Sequence, residues 1–245
     1  MTPAIKTQNL TKKYKNITAV NNLNLEIERG ELFGLLGING AGKTTTLRML
    51  TCLIKPTEGN AFINGYDVEK DSGKVKKIIG VSPQETAIAP KLTVEENLKF
   101  FCGIYGINKI NAHEKTESLL NEFNLQNYKN KKAEKLSGGL KRRLSIAIAL
   151  IGEPEVIFLD EPSLGLDVIA RSDLWDTIRK LKKNHTIVLT THYMEEAESL
   201  CDRLGIMKDG KLIITGTAAE IINKTGKNTF VDAFISIVKE GTNEI

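Results

Sequence analysis

The chain has 245 residues, enough for one large domain or two small ones, and at 41% hydrophobic and 26% charged it has the composition of an ordinary globular protein. Lysine and arginine outnumber aspartate and glutamate by 34 − 30, a net charge of +4. The lysines are scattered rather than gathered into a stripe, which argues against nucleic acid as a partner. Cys52, Cys102 and Cys201 stand far apart with no C-x-x-C pair, which excludes a zinc module and points to a reducing compartment. Met1 to Lys6 has no apolar signal core, and the longest nearly apolar run, Leu144 to Gly152, is far shorter than the roughly 20 residues that cross a bilayer.

Residues 4 to 36 predict short strands joined by polar turns. Asn24 to Glu28 alternates polar and apolar, and Arg29-Gly30 turns the chain into an apolar strand, Leu32 to Leu36. Tyr14, in the polar run Lys12-Lys13-Tyr14-Lys15, is either a plain surface aromatic or a platform for a purine face. The strand feeds Gly37-Ile38-Asn39-Gly40-Ala41-Gly42-Lys43-Thr44-Thr45, which fits G-x-x-x-x-G-K-[ST], and a helix follows from Thr44 to Leu53. Glycines at Gly37, Gly40 and Gly42 allow a tight loop whose N–H groups, with those of Asn39, Ala41 and Thr45, can face phosphate oxygens. The helix start adds positive potential at the same place. Lys43 is expected to reach the β- and γ-phosphates, and the Thr44 hydroxyl to ligate Mg²⁺. A nucleoside triphosphate is the expected ligand.

Pro56-Thr57-Glu58-Gly59 breaks the chain, Asn60 to Ile63 predicts a strand closed by Asn64-Gly65, and Lys76 to Val81 predicts another. From Thr93 to about Tyr128 the pattern turns helical: Thr93 and Glu96 form a capping box, and Leu119, Leu120 and Phe123 line a second helix. Ser137 is placed as N-cap of a helix from Leu140 to Leu150. Val156 to Glu161 is a buried strand ending in two carboxylates. Asp160 at its tip suits Mg²⁺, and Glu161 suits a general base or water-positioner. A helix from about Asp167 to Lys183, a strand from Thr186 to Thr191 ending at His192, and a hairpin turning at Asp209-Gly210 follow. Thr229 to Val238 predicts an amphipathic helix carrying Phe230 and Phe234.

Leu136-Ser137-Gly138-Gly139, lying between the phosphate loop and the acidic strand, resembles the signature motif of ABC ATPases, the nucleotide-binding subunits of ABC transporters. In that family's order, Gln84 resembles the Q-loop glutamine, Leu166-Asp167 the D-loop, His192 the switch histidine and Tyr14 the adenine-stacking aromatic. The resemblance covers residues 4 to 220. It implies an α/β fold: a P-loop NTPase, RecA-like core with an antiparallel β subdomain and an inserted α-helical subdomain. The implied division is 1–86 and 155–215 for the core with its β subdomain, 87–154 for the helical subdomain with the signature motif, and 216–245 for a helical tail.

The resemblance further implies ATP and Mg²⁺ as ligands. Glu161, His192 and Gln84 would be catalytic, and Thr44, Gln84 and Asp160 would hold the metal. A second ATPase subunit would pair head to tail, so that Ser137, Gly138 and Gly139 of one chain close over the γ-phosphate held by the other and Asp167 crosses the seam. It implies a separate membrane-spanning permease, with the chain on the inner face of the membrane. Leu140 departs from the family's usual glutamine. Together with Lys141-Arg142-Arg143-Leu144 it resembles the subgroup that exports drugs or sodium. Two other readings stand beside this one: a soluble ABC-type ATPase acting on DNA or ribosomes, and a non-hydrolysing nucleotide sensor. No Asn-Lys-x-Asp guanine reader occurs, which excludes a GTPase.

Overall fold

The computed structural model describes residues 2–240; Met1 and the last five residues of the expected tail, 241–245, lie outside the described residues. β1 (Ile5–Tyr14) and β2 (Ile17–Ile27) form one long antiparallel pair rather than several short strands. Asn9 and Asn22 both take φ of 50° inside the strands. Asn24 spans the irregularity: its Oδ1 accepts from Asn9 N at 2.9 Å, and its Nδ2 donates to Asn9 Oδ1 at 3.0 Å. These are bulges, which bend a strand without ending it.

β3 (Leu32–Leu36) is buried at every position and runs through the glycine-rich loop into α1 (Lys43–Leu50). That helix stops short of Leu53, with Cys52 at a φ of 58°. β4 (Glu58–Ile63) and β5 (Tyr66–Asp67) meet at Asn64-Gly65, both at positive φ as a tight hairpin turn requires. The strand expected from Lys76 begins only at Ile79. Lys76 to Ile78 instead end α2 (Ser72–Ile78), before β6 (Ile79–Ser82). Val75 is that helix's buried residue, and the amides of Lys74 and Val75 bond back to Asp71 O. Val75 and Ile78 stand three apart, a helical spacing that the apolar pair Ile78-Ile79 disguises as strand.

α3 (Val94–Ile104) opens on the Thr93–Glu96 capping box, α4 (Lys109–Glu122) on Asn108, and α5 (Gly138–Ala149) on Ser137. β7 (Val156–Asp160) follows, then α6 (Val168–Leu181) capped by Asp167, and β8 (Thr186–Thr191). α7 (Met194–Leu200), unread in the sequence, and α8 (Ala218–Thr225), at the start of the expected helical tail, flank the hairpin of β9 (Arg203–Lys208) and β10 (Lys211–Gly216). α9 (Phe230–Glu240) closes the described chain.

The strands form two sheets, an antiparallel one in the order β2-β1-β4-β5 and a mixed one in the order β10-β9-β3-β8-β7-β6. One apolar cluster fills the space between the sheets around α1, with Phe33, Leu47, Met49 and Phe158 at its centre. A second runs continuously from β7 and β8 into α3, α4 and α5, so the helical segment shares its core with the sheet. A third seats Phe230, Phe234 and Ile237 of α9 against Leu204, Ile206 and Ile221. Truncating a fully buried aromatic such as Phe158 to alanine costs about 3–5 kcal/mol.

In the mixed sheet β9, β3, β8, β7 and β6 run parallel, with Leu36 opposite Thr191, Thr190 opposite Asp160, and Leu159 opposite Ser82. The residues just past those ends, Gly37, His192, Glu161 and Pro83-Gln84, therefore emerge side by side along one edge. Adjacent strands are roughly 5 Å apart. Carboxyl ends of parallel strands are where such sheets bind ligands.

Candidate nucleotide site

The loop from Gly37 to Gly42 has its shape fixed from three sides. Gly42 takes a φ of 104°, and a Cβ there would lie 2.5 Å from Ala19 O of β2. A Cβ on Gly37 would lie 2.6 Å from Met207 O of β9. Gly210 N donates to Ala41 O at 3.1 Å, and Gly210 O accepts from Asn21 N at 2.8 Å. Beside this loop Tyr14, Ala19, Asn39, Gly40, Ala41, Gly42, Lys43, Thr44, Thr45, Gln84 and Glu161 line a cleft of about 520 Å³. Tyr14 stands at its rim, 44% exposed, with Lys12 Nζ 5.2 Å from the centre of its ring.

Lys43 is buried, and its Nζ donates to Gly37 O at 2.7 Å and Ile38 O at 3.2 Å. Burial pulls its pKa below the usual lysine value, while Glu161 and Asp160 oppose that shift. Glu161 Oε1 is the nearest anion at 3.8 Å. A phosphate in the cleft would supply the counter-charge that burial makes costly to lack.

Asp160 Oδ1 accepts from the Thr190 hydroxyl and from Thr44 Oγ1, the latter at 3.3 Å. This hydroxyl and carboxylate offer hard oxygens close enough to share one ion, as Mg²⁺ requires. Glu161 takes a φ of 46°, rare for a residue with a side chain, and its N–H is held by Thr190 O at 3.1 Å and Thr190 Oγ1 at 3.0 Å. Strain of this kind persists where neighbours over-determine it. The strand therefore ends one residue earlier than expected, and the kink brings Glu161 Oε2 to 2.9 Å from His192 Nδ1, a close contact without hydrogen-bond geometry.

In the sequence Arg142 stands only as one letter of Lys141-Arg142-Arg143-Leu144, yet in the fold its guanidinium is buried. It donates to Pro83 O at 2.6 Å and Gln84 O at 2.8 Å, and it lies 3.5 Å from Glu161 O. Burial draws its pKa down, countered by Asp160, Glu196 and Glu161. A helix that begins at Ser137 thus fixes the backbone at Gln84, whose side chain stays exposed in the cleft. In the sequence nothing separates Arg142 from Arg143, which forms a partly exposed pair with Asp173.

Ser137, Gly138, Gly139 and Asp167 do not line this cleft. Ser137 Oγ accepts from Leu140 N at 3.4 Å, and Asp167 Oδ1 accepts from Ala170 N at 2.8 Å. A Cβ on Gly138 would meet Leu166 at 3.5 Å, and one on Gly139 would meet Ala170 at 3.0 Å, so the two helix starts stand together. Ser137, Gly138 and Asp167 are exposed, as are Val168 and Ile169 beside them, each 77%. The chain presents a complete phosphate loop in one place and an open pair of helix starts in another.

Residues 20–164 match the family model described as ABC transporter. The linearmycin resistance ATP-binding protein LnrL of Bacillus subtilis is 38% identical over 96% of this chain and 76% of its own length. The ABC transporter A family member 7 of Dictyostelium discoideum is 46% identical over 85% of this chain, which spans only 25% of that protein. A solved dimeric ATP-binding cassette in a post-hydrolysis state, bound to ADP and Pi, superposes with a TM-score of 0.77 at 30% identity, covering 87% of this chain and 98% of its own.

Proposed function

The chain belongs to the ABC transporter family, and from that premise we propose that it is an ATP-binding and ATP-hydrolysing subunit that works as a pair and drives a separate membrane-spanning permease. The observation that carries this reading is the separation just described: Lys43, Thr44 and Glu161 line the cleft, with Asp160 against Thr44 and His192 against Glu161, while Ser137 and Asp167 open elsewhere. A head-to-tail second copy would bring its Ser137, Gly138 and Gly139 to the phosphate end of this cleft.

In this reading the loop amides and Lys43 hold the β- and γ-phosphates, and Tyr14 stacks on the adenine. Thr44, Asp160 and Gln84 would hold Mg²⁺, which supplies charge neutralisation at those phosphates. Glu161 takes the proton from the attacking water, and His192 holds the γ-phosphate side of the geometry. Gln84 and the helical segment, tied together through Arg142, pass the nucleotide state to the permease. Among the described residues no helix is long and apolar enough to cross a membrane. The name of the Bacillus relative, with Leu140 and Lys141-Arg142-Arg143-Leu144, favours export of an antibiotic-like, drug-like or sodium cargo and a site on the inner face of the membrane.

Subunit mixing tests the shared site. Lys43→Ala removes the phosphate lysine, and Ser137→Asp keeps an N-cap while setting a negative charge against phosphate. Each variant alone is expected to be inactive. Mixed, half of the pairs combine one copy of each and retain one intact site of two, so turnover should return to about a quarter of wild type. No recovery on mixing would sink the shared-site reading.

A further inference from the structure

Glu196 on α7 has no exposed surface, whereas its neighbour Glu195 projects into solvent with its side chain 82% exposed. A buried carboxyl is costly unless polar groups converge on it, and here they come from three elements. Trp175 Nε1 of α6 donates to Glu196 Oε1 at 3.1 Å. The Thr191 hydroxyl at the end of β8 and the Ser163 hydroxyl after β7 face the same carboxyl, with Arg171 of α6 nearby. Thr191 Oγ1 accepts from Tyr193 N at 3.0 Å, which leaves its proton for Glu196. Ser163 Oγ and Glu196 Oε2 are both buried and neither makes a hydrogen bond, so each is left as the polar group to which the other can turn. Arg171 packs over the Tyr193 ring at 4.9 Å and closes the far side.

Ser163 belongs to the loop that carries Glu161 and leads to Asp167, while Thr191 and Tyr193 flank His192. The same two loops meet in front, where His192 Nδ1 stands 2.9 Å from Glu161 Oε2. We propose that Glu196 is a positioning residue that clamps the His192 loop to the Glu161 loop from beneath, holding the two side chains at the separation from which they act on one γ-phosphate. The role of that pair rests on the ATPase reading above; the clamp itself rests on the contacts around Glu196. A buried acid with a purely structural task would hold the fold together and leave turnover per folded molecule alone.

The test uses the full chain. Glu196→Ala should lower kcat for ATP about tenfold while KM stays within about twofold, because the loss is one of alignment rather than of binding. Glu196→Gln, which retains an acceptor for Trp175 and a polar partner for the hydroxyls, should recover to within about threefold of wild type. Trp175 is the only tryptophan, so its emission should shift with Glu196→Ala and not with Glu196→Gln. Amide exchange should speed up in residues 161–167 and 190–193 together. A folded Glu196→Ala chain with wild-type kcat overturns the clamp, and so does a Gln variant as impaired as the Ala one. Where Glu196→Ala does not fold, Ser163→Ala and Thr191→Val each remove one strap: faster exchange in both loops supports the clamp, and exchange confined to the mutated loop overturns it. Wild-type turnover, and its disappearance in Lys43→Ala, are measured alongside. Their absence would fault the ATPase reading, and the exchange measurement would still decide the clamp.

Discussion

Arg142 and Arg143 are adjacent in the sequence and have opposite surroundings. Arg142 is buried against the carbonyls of Pro83 and Gln84, and Arg143 pairs with a half-exposed Asp173. Removing Arg142 leaves those carbonyls without a donor, a cost of about 1–3 kcal/mol. Removing a partner of a surface pair costs about 0–1 kcal/mol. Urea unfolding should therefore find Arg142→Ala clearly less stable than Arg143→Ala; equal losses would mean that the buried fork contributes nothing. Tyr14 stands at the rim of the cleft. Its ring is half-exposed beside Ala19 and Asn39, and Tyr14→Ala should weaken ATP binding by about 1 kcal/mol, in the range of aromatic pairs. An unchanged Kd by titration calorimetry would remove it from the site.

Most elements announce themselves through spacing that packing then obeys. Thr93-x-x-Glu96 is a capping box, Ser137 and Asp167 are caps, and Asp209-Gly210 is a hairpin turn with both residues at positive φ. The elements that stayed hidden are those in which tertiary contact overrides the local signal. Asn9 and Asn22 are bulges held by cross-strand partners, Asn24 for Asn9 and Thr11 for Asn22. α7 is short, and Glu196, its buried acid, looks no different from exposed Glu195 until α6 and β8 are laid against it. The phosphate-loop residues were legible as a motif. The ties from Arg142 and Thr190 were not, since each partner lies tens of residues away in the sequence.

The link from β2 to β3 carries a prediction of its own. Glu31 accepts from Glu28 N at 2.7 Å and from Arg203 Nη1 at 3.1 Å, which ties this link to β9. Burial raises its pKa, with the Glu28 amide and Arg203 opposing. A raised carboxyl contributes stability below the ordinary glutamate value of about 4.3 and loses it as pH climbs through the higher folded-state value. The Tm of Glu31→Gln minus that of wild type should therefore become more positive between about pH 4 and pH 6. A difference that stays flat across this window would show that Glu31 titrates alike folded and unfolded.

For the whole molecule, the two sheets and the helical segment form one body around a single row of strand ends, and the outward faces at Ser137 and Asp167 remain open for a second copy. Glu161→Gln should leave the cleft and its ATP binding intact while halting turnover. ATP should then hold the variant as a pair with twice the monomer mass, measured by light scattering. A variant that stays single and hydrolyses at the normal rate would exclude Glu161 as the base.

The seating of Gly210 against Ala19 and Ala41 also has a bearing on how the protein is made. Gly210 follows Gly42 by 168 positions (210 − 42), and synthesis proceeds from the N-terminus at roughly 5–20 residues per second. A nascent chain thus exposes every letter of the phosphate loop long before the hairpin that moulds it has left the ribosome. A product cut before Arg203 would carry the whole fingerprint without the grip of Gly210 and Met207.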